Sequence, residues 1–329
     1  MEHFFITGAT GLLGQTLIGE LKKVGEENIT AFVLPNDPLR DELPAYVKVL
    51  EGNICDPSSL DSAIKENDIV IHLAAMVSIR KSDNEKMEKI NYHGSVNVIN
   101  AAIANKAKKL VYVSSSHVIG YKDGAPIKES DFGMKTENIG AYETSKKKAT
   151  EYVFMKASEG LNASVVFPSG IVSDNDKAMG EISTLLYKLS TGKLTYYPRG
   201  GYAFVDVHDV ARGIIAASKV GKKGEGYLLS GGYLSLDEID SIVRERYPNL
   251  KKGRVIPFFF AYLGLPFIMI HEKISHHKPL YTYTSLKTIR THALFDTSKA
   301  QKELGITFTP LKTSINNALS YIEKTAPKK

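Results

Sequence analysis

Two hydrophobic patterns take turns through the first half of the chain. Short apolar runs without polar alternation lie at His3–Thr7, Ile29–Leu34, Val47–Glu51, Ile69–Leu73, Leu110–Ser114 and Ser164–Phe167. A run that is apolar at successive positions suits a strand covered on both faces. Between these runs the apolar residues recur at helical spacing, which predicts helices over Leu12–Lys23, Pro57–Lys65, Glu85–Ala104 and Tyr142–Ser158. Strand and helix in regular alternation build a parallel sheet through right-handed crossovers. The pattern therefore predicts an α/β fold with a doubly wound parallel sheet.

After Phe167 the rhythm stops. A segment rich in Gly, Pro and Tyr appears at residues 196–201, and clear helical spacing returns over Asp209–Ser218, Leu236–Glu245 and Thr313–Glu323. No internal repeat or low-complexity stretch is present. The division this predicts is an α/β unit over residues 1–167, with 202–232 returning to it, and a smaller lobe from 168–201 and 233–329.

Composition narrows the picture. With 329 residues, 43% hydrophobic and 24% charged, the chain is ordinary globular protein and not a disordered one. The net charge of +6 is too mild to imply a nucleic-acid partner. Its distribution is uneven: residues 219–329 hold 18 Lys/Arg against 9 Asp/Glu. A single cysteine, Cys55, excludes a disulfide framework and a multi-cysteine zinc site, and fits a reducing compartment. Met1-Glu2-His3 runs straight into Phe4-Phe5-Ile6, with no secretory signal pattern. The apolar stretch Val255–Ile270 contains Pro257, Gly264 and Pro266 and falls short of the roughly 20 residues a membrane span needs. A cytoplasmic chain, monomer or homodimer, is expected.

Chemistry enters at the first turn. Thr7-Gly8-Ala9-Thr10-Gly11-Leu12-Leu13-Gly14 follows the first strand and opens the first helix. Glycine at 8 permits a tight turn, at 11 lets a pyrophosphate reach the backbone, and at 14 lets helix and strand pack closely. The helix N-terminus offers unpaired N–H groups to the phosphates. The spacing, directly after a first strand, predicts the dinucleotide site of a Rossmann-type fold. Further segments follow in order: Gly52-Asn53-Ile54-Cys55-Asp56, His72-Leu73-Ala74-Ala75, Asn91-Tyr92-His93-Gly94-Ser95-Val96-Asn97-Val98, Ser114-Ser115-Ser116-His117-Val118-Ile119-Gly120 and Tyr142-Glu143-Thr144-Ser145-Lys146. Later come Pro168-Ser169-Gly170-Ile171-Val172, the stretch 202–211 and Phe295-Asp296 through Gly305.

The set resembles the extended, epimerase/dehydratase-like branch of the short-chain dehydrogenase/reductase superfamily over nearly the whole chain, from about residue 3 to 323. Within that branch it is most similar to the dihydroflavonol-reductase-like and 3β-hydroxysteroid-dehydrogenase-like members. Three departures stand out: Asn53 replaces the usual Asp, Phe167 replaces the usual Arg before Pro168, and the Gly-Pro that usually closes that segment is absent after Val172. The resemblance implies a cofactor lined by Gly8, Thr10, Gly11, Leu12, Leu13, Gly14, Asn53, Ile54, Leu73, Ala74, Ala75, Asn91, Tyr142, Lys146, Pro168 and Ile171.

Tyr142 and Lys146 sit one helical turn apart on one face. Hydride addition to a carbonyl leaves an alkoxide that must take up a proton. A free tyrosine, with its pKa near 10, is a poor base at neutral pH, and a neighbouring cation should lower that value. Tyr142 is the expected acid/base and Lys146 its tuner and ribose ligand. Ser115 is the expected polarising hydroxyl, with Ser116 as the alternative. No metal is expected; His271, His276 and His277 lack a completing carboxylate or cysteine cluster and read as surface residues.

The second strand ends without an acid or an Arg. Asp37 and Arg40 follow a few residues on, and the A-x-V-x-P stretch resembles that of the dihydroflavonol-reductase-like group, which implies a slight lean towards NADP over NAD. Seven aromatics, Phe258, Phe259, Phe260, Tyr262, Phe267, Tyr281 and Tyr283, suit a small core, an apolar substrate cleft, or peripheral membrane contact beside Lys251-Lys252-Gly253-Arg254. The function expected first is an NAD(P)-dependent reductase or dehydrogenase acting on the carbonyl or secondary alcohol of a mainly apolar small molecule. A nucleotide-sugar epimerase or dehydratase using bound NAD is the alternative. A redox-sensing regulator is disfavoured by the intact Tyr142–Lys146 pair.

Overall fold

The computed structural model describes residues 2–78, 81–120, 125–134, 140–265, 286, 289–290 and 293–325. Its strands are β1 (Phe4–Thr7), β2 (Ile29–Val33), β3 (Lys48–Glu51), β4 (Ile69–His72), β5 (Lys109–Val113), β6 (Ala163–Pro168), β7 (Gly170–Val172), β8 (Tyr196–Pro198), β9 (Gly201–Asp206), β10 (Gly226–Leu229), β11 (Gly232–Ser235) and β12 (Arg254–Ile256). The main sheet has seven strands in the order β10-β6-β5-β4-β1-β2-β3, every pair parallel. The chain thus builds outward from β1 to one edge, then restarts at β4 and builds to the other. That reversal between β1 and β4 opens a crevice at the carboxyl ends of the strands, where ligands bind in such sheets.

The unalternating apolar runs have a direct physical reading. Phe4, Ile6, Ile69, Ile71, Val111 and Val113 point into one core, packed with Leu17, Leu21, Val210 and Ile214. Phe5, Val70, Leu110 and Tyr112 point into the other, packed with Val98, Ile99, Ala149 and Val153. The helices covering the first face are α1 (Leu12–Lys23) and later α6 (Val207–Val220). On the second face lie α3 (Ser95–Ala104) and α4 (Ala141–Ser158), with α2 (Asn84–Met87) preceding α3. A third core joins Leu185 and Leu189 of α5 (Glu181–Ser190), Ile239 and Val243 of α7 (Leu236–Arg246), and Ile315, Leu319 and Ile322 of the helix Leu311–Thr325. It packs against the small sheet β11-β9-β7 through Val172 and Phe204.

Three expectations need correcting. Pro57–Lys65 is helical only as a single turn, Pro57–Ser59. Asp56 accepts from the backbone N–H and the hydroxyl of Ser58, while Ser59 donates to the carbonyls of Asn53 and Asp56. These local bonds compete with helical ones. Glu85–Ala104 is not one regular helix, because Glu88–Gly94 is a π-helical stretch between α2 and α3. The aromatic run divides: Phe258 and Tyr262 pack on the third core, whereas Phe259 and Phe260 are exposed. Phe267, Tyr281 and Tyr283, like His271, His276 and His277, lie outside the described residues.

One ionic latch ties the two helices of the first face together. His208 of α6 meets Glu20 of α1 at 2.9 Å through Nδ1 and Asp174 at 3.2 Å through Nε2. The hydrogen bond to Asp174, then that to Glu20, pushes the imidazole up to about 9 against the desolvation that opposes it. A pKa raised on folding contributes stability that is full below the unfolded value near 6.5 and lost as pH rises through 9. His208→Gln is therefore expected to cost about 1–2 kcal/mol near pH 6, discounted for partial exposure, and little near pH 10. Urea unfolding at the two pH values checks this, and an equal loss at both would contradict it.

Candidate active site

The phosphate turn is built as its glycines require. Gly8 has φ +73°, and a Cβ there would stand 2.7 Å from the Ala74 nitrogen. A Cβ at Gly14 would lie 2.4 Å from the Gly8 carbonyl oxygen, so α1 and the turn touch through backbone. Gly11 differs: it is exposed, extended, and meets only the Gly8 oxygen, at 3.3 Å. Gly11 is also the N-cap of α1, and no side chain caps that end. The first amides of the helix, from Leu12 onward, lack partners inside the helix and face the crevice side of the turn. Together with the helix dipole they make an anion cradle, so the residues present fit a pyrophosphate-bearing dinucleotide.

A polar network ties this turn to the next strand end. The buried His72 meets Thr7 at 2.6 Å and Ser95 at 2.9 Å. Burial, then the nearby Lys146 charge, drives its pKa down to about 3, so the ring is neutral and works as a spacer. The Thr7 hydroxyl also accepts from the Ala74 N–H at 3.3 Å, holding Leu73, Ala74 and Ala75 beside Gly8. From the other side, Asn91 in the π-helical stretch accepts from the Met76 N–H at 2.7 Å and donates to the Met76 carbonyl at 2.9 Å. It donates further to Ser145 at 3.1 Å, one residue before Lys146. The extra residue of the π turn aims Asn91 at both segments, a common use of such bulges.

Around β5 the three serines separate by their partners. Ser114 shares a 2.6 Å hydrogen bond with Thr150 and is committed to α4. Ser115 accepts from the His117 N–H at 3.3 Å, and its hydroxyl lies near enough to the Tyr142 phenol to favour the ionised form. The buried Ser116 hydroxyl has no partner among the described residues. Of the two candidate serines, Ser115 is the one brought to Tyr142. Lys146 is buried, donates to the Val113 carbonyl at 2.6 Å and lies 4.3 Å from the Tyr112 ring centre.

The electrostatics run against one expectation. Lys146 was expected to lower the pKa of Tyr142, yet the phenol is pushed up to about 12. Burial is the largest cause and the Glu143 carboxylate the second, with the nearby Ser115 hydroxyl opposing both. Lys146 itself is brought down to about 7 by burial, so near neutral pH its charge is only partial. Glu143, the immediate neighbour, was not singled out in the sequence, although a carboxylate next to the reactive phenol was there to be noticed.

The remaining candidates sit at the sheet's rim. Asn53 and Ile54 follow β3; the Asn53 side-chain oxygen accepts from the Cys55 N–H at 2.9 Å, while the Ile54 carbonyl accepts from Asn97 at 2.9 Å. Asn53 thus shapes its own turn with the oxygen and keeps its amide donors. Pro168 ends β6, and Ile171 lies in β7 against the first core. Phe167, in place of the usual Arg, is fully buried with Phe132 and Phe154, so its role is packing. Asp37 was weighed only for its position beyond β2. It accepts a 2.8 Å hydrogen bond from Thr10, while Arg40 pairs with Glu51 and Asp41. No group of three or more metal-ligating side chains occurs among the described residues, and no described helix is long and apolar enough to cross a membrane.

A doubly wound sheet with an uncapped glycine turn, a serine at β5 and a Tyr–Lys pair on α4 defines a dinucleotide-dependent α/β enzyme. The chain belongs to the NAD dependent epimerase/dehydratase family, whose model matches residues 4–229, and it is an oxidoreductase of that NAD-dependent group. It is 24% identical over 323 residues to sterol demethylase protein B of Methylococcus capsulatus, covering 97% of this chain and 98% of that one. It is 25% identical over 330 residues to a putative dihydroflavonol 4-reductase of Synechocystis, covering 98% and 95%. In fold it is similar to the UDP-glucose 4-epimerase of Thermotoga maritima, with a TM-score of 0.79, 18% identity and coverage of 99% and 100%.

Proposed function

We propose that the protein transfers a hydride between NAD(H) and the carbonyl or secondary alcohol carbon of a mainly apolar small molecule. The observation that carries this reading is the Ser115 hydroxyl near the Tyr142 phenol, with Lys146 one turn along the same helix. In reduction, nicotinamide supplies the hydride. The carbonyl oxygen, held by Ser115, gains negative charge as the new C–H bond forms, and Tyr142 gives it a proton. A phenol pushed up to about 12 stays protonated through neutral pH, which suits the donor role. Lys146 would hold the nicotinamide ribose, and its charge would stabilise the phenolate left behind. Gly8, Thr10, Gly11, Leu12, Leu13 and Gly14 would hold the pyrophosphate. Asn53 and Ile54 would meet the adenine, and Leu73, Ala74, Ala75, Asn91, Pro168 and Ile171 would line the rest.

Against the sequence-based lean to NADP(H), Asp37 supports NAD(H). Its carboxylate lies on Thr10 of the phosphate turn, where it would accept from a ribose 2′-hydroxyl and repel a 2′-phosphate. Arg40, the cation that would welcome that phosphate, is already paired with two carboxylates. We further take residues 1–167 and 202–232 as the cofactor unit, and 168–201 with 233–329 as the substrate lobe, working in a reducing, cytoplasmic compartment. The outward Phe259 and Phe260 remove part of the aromatic wall expected from the sequence, so the substrate class leans on the full-length likeness to a sterol demethylase protein and a putative dihydroflavonol reductase.

The test is a homologous series of alkyl-substituted ketones assayed with NADH and with NADPH. Each buried methylene adds about 0.8 kcal/mol, roughly a fourfold rise in kcat/KM. A rising series with NADH preferred is the expected result. A flat series would remove the apolar substrate, and a preference for NADPH would remove the role of Asp37.

A further inference from the structure

Residues 258–265 form a helix directly after β12, with the sequence Phe258-Phe259-Phe260-Ala261-Tyr262-Leu263-Gly264-Leu265. Its inward face is settled by packing: Phe258, Ala261, Tyr262 and Leu265 lie on the third core at helical spacing. A helix on a protein surface normally turns charged residues to water. This one carries none. Its outward positions are Phe259, Phe260 and Leu263, exposed by 67%, 59% and 54%. Phe259 and Phe260 stack edge to face at 5.5 Å, forming one apolar knob. On the strand pair that precedes the helix, Val255 of β12 and Tyr196 of β8 are also exposed, and Tyr196 shares a face with its register partner Arg254.

Basic residues precede it in the chain by a few positions. Lys251, Lys252 and Arg254 are all exposed. Lys252 pairs with Asp237, whereas Lys251 and Arg254 form no ion pair among the described residues. A face that is aromatic at its centre and basic at its rim complements one environment, the boundary of an anionic bilayer. There the rings sit below the headgroups and the cations meet lipid phosphates. A second copy of this chain fits less well. Three helix side chains offer far less than the roughly 800 Å² per partner of a stable interface, and two basic rims would repel.

We propose that the face made by Phe259, Phe260 and Leu263, with Lys251 and Arg254, docks this protein on anionic lipid surfaces. This stands apart from the catalytic reading, since none of these residues belongs to the cofactor site. Docking would bring the protein to the phase in which an apolar substrate dissolves.

The experiment is co-sedimentation of the full chain with vesicles of phosphatidylglycerol and phosphatidylcholine, and with phosphatidylcholine alone. Wild type should bind the anionic vesicles and be released by salt. Phe259→Ser/Phe260→Ser should weaken binding by about tenfold or more, as two rings leave the interface. Lys251→Glu/Arg254→Glu should lose the preference for phosphatidylglycerol. All four positions are exposed, and an unchanged melting temperature confirms that the variants fold. Failure of wild type to bind, or unchanged binding by either variant, would overturn the proposal. So would a dimer in sedimentation velocity that Phe259→Ser/Phe260→Ser dissolves, because the face would then belong to a second copy.

Discussion

Replacing Tyr142 by Phe is expected to lower turnover by about 10²–10⁴-fold while leaving dinucleotide affinity close to wild type. The ring and its packing survive; the proton on its way to the alkoxide does not. The pH dependence follows from the direction of the shift. A phenol pushed up to about 12 keeps its proton at neutral pH, so the reductive rate should fall there only as Lys146, brought down to about 7, gives up its charge. The oxidative direction needs the phenolate and should climb as pH rises. Lys146→Met should differ in kind, impairing turnover and cofactor binding together, since Lys146 is assigned to both. Steady-state kinetics with fluorescence titration of NADH separates the two variants. Near-normal turnover in Tyr142→Phe would mean that the proton comes from elsewhere.

Gly11→Val should abolish useful cofactor binding in a protein that still folds. The extended backbone at Gly11, φ −70° and ψ 169°, admits a β-branched residue, and its added Cβ would meet only the Gly8 oxygen. The branched side chain would then stand over the uncapped amides at the start of α1. Losing two charge-assisted hydrogen bonds, at about 1.5 kcal/mol each, weakens affinity by roughly 100-fold. Gly14→Val makes the contrast. Its Cβ would enter the backbone of Gly8 and Ala9, at 2.4 and 2.5 Å, so that variant should lose stability first. Calorimetric titration and thermal melting on the pair check both halves. Unchanged NADH affinity in Gly11→Val would refute the phosphate cradle.

These two sites were legible from sequence because each is local. A glycine turn, and a Tyr–Lys pair four residues apart, announce themselves within a few positions. Six of the seven main-sheet strands, all but β10, were legible for a related reason: Phe4, Phe5 and Ile6 each bury fully, on alternate faces, so the run shows no polar break. The strands β7 to β12 were not, because all but β9 have only three or four residues and none follows the strand–helix alternation of the first half. The π-helical stretch around Asn91 shifts register by one residue, too little to disturb a helical pattern. The contact of Asp37 with Thr10 depends on the loop after β2, where Asn36 takes φ +60° and turns the chain back. Most instructive is Tyr142. Residue types alone put a cation beside the phenol, but burial and Glu143 outweigh it, and Lys146 is drawn to the Val113 carbonyl.

The central claim is net hydride transfer to an apolar carbonyl. Its most direct test is a stoichiometry. The purified chain is mixed with NADH and an aromatic or alicyclic ketone, and both NADH loss and alcohol formation are followed. One alcohol formed per NADH consumed is the predicted result, together with weak binding of nucleotide-diphosphate sugars. An epimerised sugar nucleotide with no net change in cofactor redox state, and no NADH consumed with any ketone, would contradict it.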